Sequence, residues 1–229
     1  MRKLGLIGGM SWYSTRTYYE HINRLVQNRA GKRASAPLLI ESLDFSDLAR
    51  LSSKEEWERA SKVLIDSARR LEAAGAGALI IGANSMHKVY DAVAASVAVP
   101  IIHIADCVGA KMATDGVKKA ALVGGRNVMV ESFYRQRLIA HDIELLPPDM
   151  SIVDVVDTII YDELMLGKVS RQSERALKSI VVDFEQNGAQ AVVLGCTELE
   201  MIVDVDANVL PIYDCTAIHA RAAAEWILG

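Results

Sequence analysis

Leu71-Glu72-Ala73-Ala74-Gly75-Ala76-Gly77-Ala78-Leu79-Ile80-Ile81-Gly82-Ala83-Asn84-Ser85 aligns without a gap on Phe184-Glu185-Gln186-Asn187-Gly188-Ala189-Gln190-Ala191-Val192-Val193-Leu194-Gly195-Cys196-Thr197-Glu198, at an offset of 113 residues. Two further matches keep the same order. Lys3-Leu4-Gly5-Leu6-Ile7-Gly8-Gly9 matches Lys119-Ala120-Ala121-Leu122-Val123-Gly124-Gly125 at an offset of 116, and Val99-Pro100-Ile101-Ile102 matches Leu210-Pro211-Ile212-Tyr213 at 111. Each member of the last pair is followed shortly by Asp-Cys, at Asp106-Cys107 and Asp214-Cys215. Three ordered matches at nearly constant offset describe two homologous half-chains.

The repeated runs are short, apolar and rich in β-branched residues: Leu4 to Ile7, Leu38 to Ile40, Ala78 to Ile81, Pro100 to Ile104, Ala120 to Val123, Ala191 to Leu194 and Leu210 to Ile212. Such runs suit strands of a parallel sheet covered on both faces. Helical spacing lies between them. In Lys54 to Ala74 the residues Trp57, Ala60, Leu64, Ala68 and Leu71 share one face, and Ser53 with Glu56 offers a capping box. The expected fold is therefore α/β: two homologous doubly wound domains related by a pseudo-twofold, with the active site in the cleft between them. The expected domains are 1–104 plus 215–229, and 105–214, the closing helix Thr216 to Leu228 packing back on the first half.

The chain has 229 residues, 51% hydrophobic and 24% charged, with 25 Lys and Arg against 29 Asp and Glu for a net charge of -4. This is the profile of a folded protein, and its acidic balance argues against nucleic acid as a partner. The tract Arg29-Ala30-Gly31-Lys32-Arg33 has no interleaved aromatic and reads as a solvated loop. Apolar stretches such as Ala76 to Ala83 fall far short of the roughly 20 residues that span a bilayer, so no membrane association is expected. The first residues read as a strand rather than a signal peptide. Three cysteines, Cys107, Cys196 and Cys215, form an odd set without metal-type spacing; no disulfide framework or metal site is expected, and the compartment reads as the reducing cytoplasm.

Strand ends are where such folds bind ligands. Here they read Gly8-Gly9-Met10-Ser11-Trp12, Gly82-Ala83-Asn84-Ser85, Gly124-Gly125-Arg126-Asn127 and Gly195-Cys196-Thr197-Glu198. Glycine followed by small or polar residues brings backbone N–H groups and hydroxyls to a ligand, which points to a small anion. Neither a G-x-G-x-x-G fingerprint nor a G-x-x-x-x-G-K-[ST] loop is present at the first of these. Cys196 is the outstanding nucleophile: either neighbouring donors and a helix start favour its thiolate, or it is a buried structural cysteine. Cys107 and Cys215, at matching repeat positions, read as structural.

Gly8-Gly9-Met10, Asn84-Ser85-Met86-His87 and Gly195-Cys196-Thr197-Glu198 resemble the aspartate/glutamate racemase family along essentially the whole chain, duplication included. Gly9-Met10-Ser11-Trp12, Met86-His87-Lys88, His103-Ile104-Ala105-Asp106 and Ala217-Ile218-His219-Ala220 resemble in particular its L-aspartate/glutamate-specific branch. The resemblance implies cofactor-independent inversion at an amino-acid α-carbon, without pyridoxal phosphate. One cysteine per half serves opposite faces of the substrate. It also implies a homodimer and a small amino-acid or dicarboxylate substrate.

The first-half motif of that family is Cys-Asn-Thr, and Ala83-Asn84-Ser85 stands in its place. Ala83 carries no transferable proton. The implied roles are Cys196 as catalytic thiol, Ala83 as the position of the absent first acid/base group, and Glu198 as the carboxylate that tunes the thiol or relays its proton. Glu198 read by itself is equally a salt-bridged surface group. Asn84, Ser85 and Thr197 would cradle the substrate carboxylate, or cap the helices that follow. Met10, Ser11, Trp12, Ser14 and Thr15 lie in the first loop, where the family contacts substrate, and Asn127 is their repeat counterpart. Arg50, after Asp44-Phe45-Ser46-Asp47, would hold a distal carboxylate or stay solvated. His87 orients the site or caps its helix; His103 reads as a core histidine. The leading function is thus an aspartate/glutamate-type racemase lacking one thiol. The alternatives are a one-cysteine, cofactor-free decarboxylase of the same superfamily, or a non-catalytic relative that binds a small molecule.

Overall fold

The computed structural model describes residues 1–46 and 48–229, so Asp47 of the loop before Arg50 lies outside the described residues. The chain divides into two compact units, Met1–Ile104 with His219–Gly229, and Ala105–Ile218.

In the first unit, β1 (Leu4–Gly8), β2 (Leu38–Ser42), β3 (Ala78–Ile81) and β4 (Ile101–Ile102) form a parallel sheet in the order β2-β1-β3-β4. Leu4 pairs with Leu38 on one side and Ala78 on the other. Both faces of the sheet are covered, which is why its central strands carry no polar alternation. On one face Leu4, Leu6, Ala78 and Ile80 meet Tyr18, Ile22 and Val26 of α1 (Trp12–Ala30) and Ala220, Ala223, Ala224 and Ile227 of α9 (Cys215–Leu228). On the other, Ile7, Leu79 and Ile81 meet Trp57, Ala60, Leu64, Ala68 and Leu71 of α2 (Lys54–Ala73). The capping box reads as the sequence expects: the Ser53 hydroxyl accepts from Glu56 N–H and the Glu56 carboxylate accepts from Ser53 N–H. After β3 come a 3₁₀ turn (Ser85–Val89) and α3 (Tyr90–Ala94).

The second unit repeats the plan. α4 (Ile104–Thr114) leads into β5 (Lys119–Gly124), followed by α5 (Arg126–Val130), α6 (Ser132–Ile139), β6 (Glu144–Leu145), α7 (Met150–Asp162), α8 (Arg171–Gln186), β7 (Ala191–Gly195) and β8 (Ile212–Asp214). Its sheet is parallel in the order β6-β5-β7-β8, the same order as the first. Ala121, Val123, Val192 and Leu194 pack on Val153, Val156 and Ile160 of α7 and on Leu177, Ile180 and Val181 of α8.

Three details depart from the sequence reading. β6 is a strand the apolar runs do not announce, since only Glu144 and Leu145 pair with β5. The run Pro100 to Ile104 yields a two-residue strand, because Pro100 has no N–H to give and Ile104 already begins α4. The closing helix starts at Cys215 rather than Thr216.

Candidate active site

In both sheets the strand order reverses direction between the two central strands, and the space outside their carboxyl ends is the place such folds hold ligands. In the first unit those ends are Gly8-Gly9 and Gly82-Ala83; in the second, Gly124-Gly125 and Gly195-Cys196.

At the end of β1 the chain turns under tight constraint. Gly9 has φ of 84°, and a Cβ there would lie 2.1 Å from the Leu43 carbonyl oxygen, so only glycine fits. Gly9 N–H donates to Thr15 Oγ1 at 2.7 Å, while the Thr15 and Ser14 hydroxyls both donate to the Ser11 carbonyl, at 3.0 and 2.9 Å. The loop that carries Met10 and Ser11 is thereby tied to the first turn of α1. Met10, Ser11 and Ser14 are buried, Thr15 is partly so, and Trp12 is exposed with its ring stacked on Tyr13.

At the adjacent end of β3, Ala83 is buried and Asn84 is 4% exposed, yet neither Oδ1 nor Nδ2 of Asn84 has a hydrogen-bond partner among the described residues. An amide in that state normally costs about 1–3 kcal/mol, so this one calls for an explanation at its strand end. Ser85, partly exposed, opens the 3₁₀ turn, and its His87 is buried. Arg50 lies in the turn after β2, exposed, with φ of 51°.

In the second unit β5 and β7 approach so closely that a Cβ on Gly124 would lie 2.7 Å from the Gly195 carbonyl oxygen. Cys196 follows directly. Its thiol donates to Glu198 Oε2 at 3.2 Å, and the Thr197 hydroxyl donates to the same oxygen at 2.7 Å. Glu198 is 2% exposed, which corrects its alternative reading as a surface carboxylate. Cys196 keeps partial exposure, but desolvation first and the Glu198 charge second push its thiol well above the usual cysteine value. The direction of that shift favours the thiol over the thiolate that the strand-end position suggests. Burial likewise pushes Cys215 up, and its Sγ lies 3.1 Å from the Tyr134 hydroxyl. Asn127, partly exposed in α5, follows a turn whose Arg126 N–H is already taken by the Asp157 carboxylate at 2.8 Å. That donor serves the chain itself rather than an anion.

Sequence reasoning gave His219 no role, although it quoted the motif that contains it. Its Nδ1 lies 2.8 Å from the Tyr18 hydroxyl and its Nε2 2.9 Å from the Ile102 carbonyl oxygen. His87 and His103 stand edge to face, with ring centroids 4.5 Å apart, and His87 and His219 are 6.1 Å apart. These three histidines are far apart in sequence, so no spacing could have announced the cluster. Among the described residues no group of His, Cys, Asp and Glu could hold a metal ion, and no helix is long and apolar enough to cross a membrane.

The chain belongs to the Asp/Glu/hydantoin racemase family, whose sequence profile matches residues 7–223. A candidate Asp/Glu racemase from Yersinia pestis, known as a crystal structure, is 40% identical with 100% of both chains covered and a TM-score of 0.91. An aspartate racemase homologue from Pyrococcus horikoshii is 31% identical, again over 100% of both chains, with a TM-score of 0.86. The broad specificity amino-acid racemase RacX of Bacillus subtilis is 22% identical over 177 residues, which are 76% of this chain and 75% of RacX.

Proposed function

We propose that the chain is a cofactor-independent amino-acid racemase of the acid/base type, acting at the α-carbon of an acidic or small polar amino acid. The observation that most supports this reading is the 3.2 Å hydrogen bond from the Cys196 thiol to the buried Glu198 carboxylate at the end of β7. Removing an α-proton is difficult because the carbanion is strongly basic, so the site needs a thiolate together with donors on the substrate carboxylate. In the deprotonating direction, Glu198 takes the thiol proton and the thiolate then takes the α-proton, the electron pair passing into the substrate carboxylate. In the reverse direction the S–H bond breaks as a C–H bond forms. Asn84, Ser85 and Thr197 are the proposed carboxylate contacts, Arg50 the distal one, and Met10, Ser11, Trp12 and Asn127 line the substrate. Ser14 and Thr15 contribute through the loop they hold.

In the family's arrangement the opposite face is served from position 83, where Ala83 offers no proton. Exchange on one face should then far outpace inversion. That same residue favours a second reading, a one-cysteine decarboxylase in which loss of carbon dioxide creates the carbanion and the Cys196 thiol protonates it. The deciding experiment incubates the protein with L- and D-aspartate and L- and D-glutamate in deuterium oxide. Deuterium at the α-carbon supports the racemase reading, with inversion or without it. No exchange, with turnover of an α-substituted malonate, would transfer the site to the decarboxylase; neither activity leaves a binding protein. Sedimentation would test the homodimer that the resemblance implies.

A further inference from the structure

His87 makes two hydrogen bonds that together allow one form of its ring. Nδ1 lies 2.9 Å from the Ala83 carbonyl oxygen, where only an N–H can sit, and Nε2 accepts the Ile104 backbone N–H at 3.3 Å, where only a lone pair can sit. The ring therefore carries its proton on Nδ1 and no charge. Its neighbours keep it so: His103, His219 and Tyr90 are its ring contacts, and burial, followed by the two histidines, pushes its pKa well below the usual histidine range.

The anchor at the far end is itself fixed. Tyr90 donates its hydroxyl to the Ile101 carbonyl at 3.1 Å, and His219 donates Nε2–H to the Ile102 carbonyl at 2.9 Å while its Nδ1 faces the Tyr18 hydroxyl. Three side chains thus hold residues 101–104, and His87 transmits that fixity to the end of β3. The peptide between Ala83 and Asn84 is planar and trans, so a carbonyl held toward His87 sends the Asn84 N–H the opposite way. It also sets where the Asn84 side chain starts, and that buried amide has no hydrogen-bond partner among the described residues.

We propose that His87 is the positioning residue of the first strand end: with its proton on Nδ1 it bolts the Ala83 carbonyl to the Ile104 N–H and so aims the Asn84 amide and N–H at the substrate carboxylate. This rests on the reading of residues 83–85 as substrate contacts. Two variants separate its two bonds. His87→Asn places a carboxamide N–H near the Nδ1 site and retains the Ala83 bond; His87→Gln reaches the Nε2 site with an oxygen and retains only the Ile104 bond. Both are made in the wild-type and Ala83→Cys proteins.

With L-aspartate as probe, His87→Gln should raise KM about tenfold with a smaller effect on kcat, and His87→Asn should recover most of that loss, the scale being about one hydrogen bond. Nitrogen-15 NMR of the histidine rings should show the His87 proton on Nδ1, and the Asn84 side-chain amide resonance should move in His87→Gln and return in His87→Asn. A proton found on Nε2, or equal losses in the two variants, overturns the proposal. If neither parent protein turns over or binds aspartate, the racemase reading fails, while the two NMR readouts still decide whether His87 positions Asn84.

Discussion

Glu198→Gln removes one charge and almost no volume beside the thiol, and the consequence can be worked from the geometry. The thiolate form would stand 3.2 Å from a carboxylate oxygen. Two unit charges at that separation repel by about 1.3 kcal/mol in water-like surroundings and by about 5 kcal/mol at an effective dielectric of ~20. Removing even the lower figure raises the thiolate fraction at neutral pH about tenfold. A less basic thiolate is also a weaker nucleophile, which takes back roughly a factor of three. Site-resolved alkylation with iodoacetamide at pH 7.5 should therefore modify Cys196 about threefold faster in Glu198→Gln than in the wild type, with the pH profile displaced to lower pH. α-Proton exchange should nevertheless fall, since the amide cannot accept the thiol proton. Unchanged or slower alkylation would refute the claim that the Glu198 charge holds the thiol protonated.

Ala83→Cys should raise racemisation by roughly 100- to 10,000-fold over the wild type, the usual worth of a general acid–base group, as read by polarimetry or chiral chromatography; a folded variant with no gain would remove position 83 from the chemistry. Gly195→Ala places a Cβ 2.8 Å from Val128 Cγ1 and 3.1 Å from Leu122 Cδ1, so urea unfolding should show a loss of about 1–3 kcal/mol, and a loss under ~0.5 kcal/mol would show that this contact yields freely. Burial lowers His219 to about 4, below its unfolded value near 6.5, so the unfolded chain binds the proton first and stability is full above that unfolded value. It should fall by about 3 kcal/mol as pH drops from ~6.5 toward ~4, and a urea midpoint that stays flat through that window would contradict a buried neutral ring.

The repeated fold is legible because a parallel sheet covered on both faces demands continuous apolar runs, and a duplicated chain writes them twice. β6 escapes notice because two residues, one of them Glu144, are too few to show a pattern. The strand ends are legible as glycine followed by small polar residues, and Cys196, Glu198 and Asn84 stand there. What their surroundings do to them is not. Burial first, and the charge of Glu198 second, push the Cys196 thiol up, and nothing in the letters says that Glu198 folds back into the protein rather than outward. Ser14 and Thr15 look like substrate donors in sequence, yet their hydroxyls are spent on the Ser11 carbonyl. Tyr18 and His219 meet across 201 positions of chain, beyond the reach of any local rule.

The path of α9 sets an order of assembly. The second unit is one continuous stretch, Ala105–Ile218, whereas the first is finished only by His219–Gly229. During synthesis, Leu4, Leu6, Ala78 and Ile80 are covered on this face by Tyr18, Ile22 and Val26 of α1 alone until Ala220, Ala223, Ala224 and Ile227 leave the ribosome. The half translated first is thus completed last, and it stays exposed to chaperones and proteases throughout the time its partner takes to emerge. Once α9 is in place, its Ile227 carbonyl accepts the Arg2 N–H beside β1 at 2.8 Å.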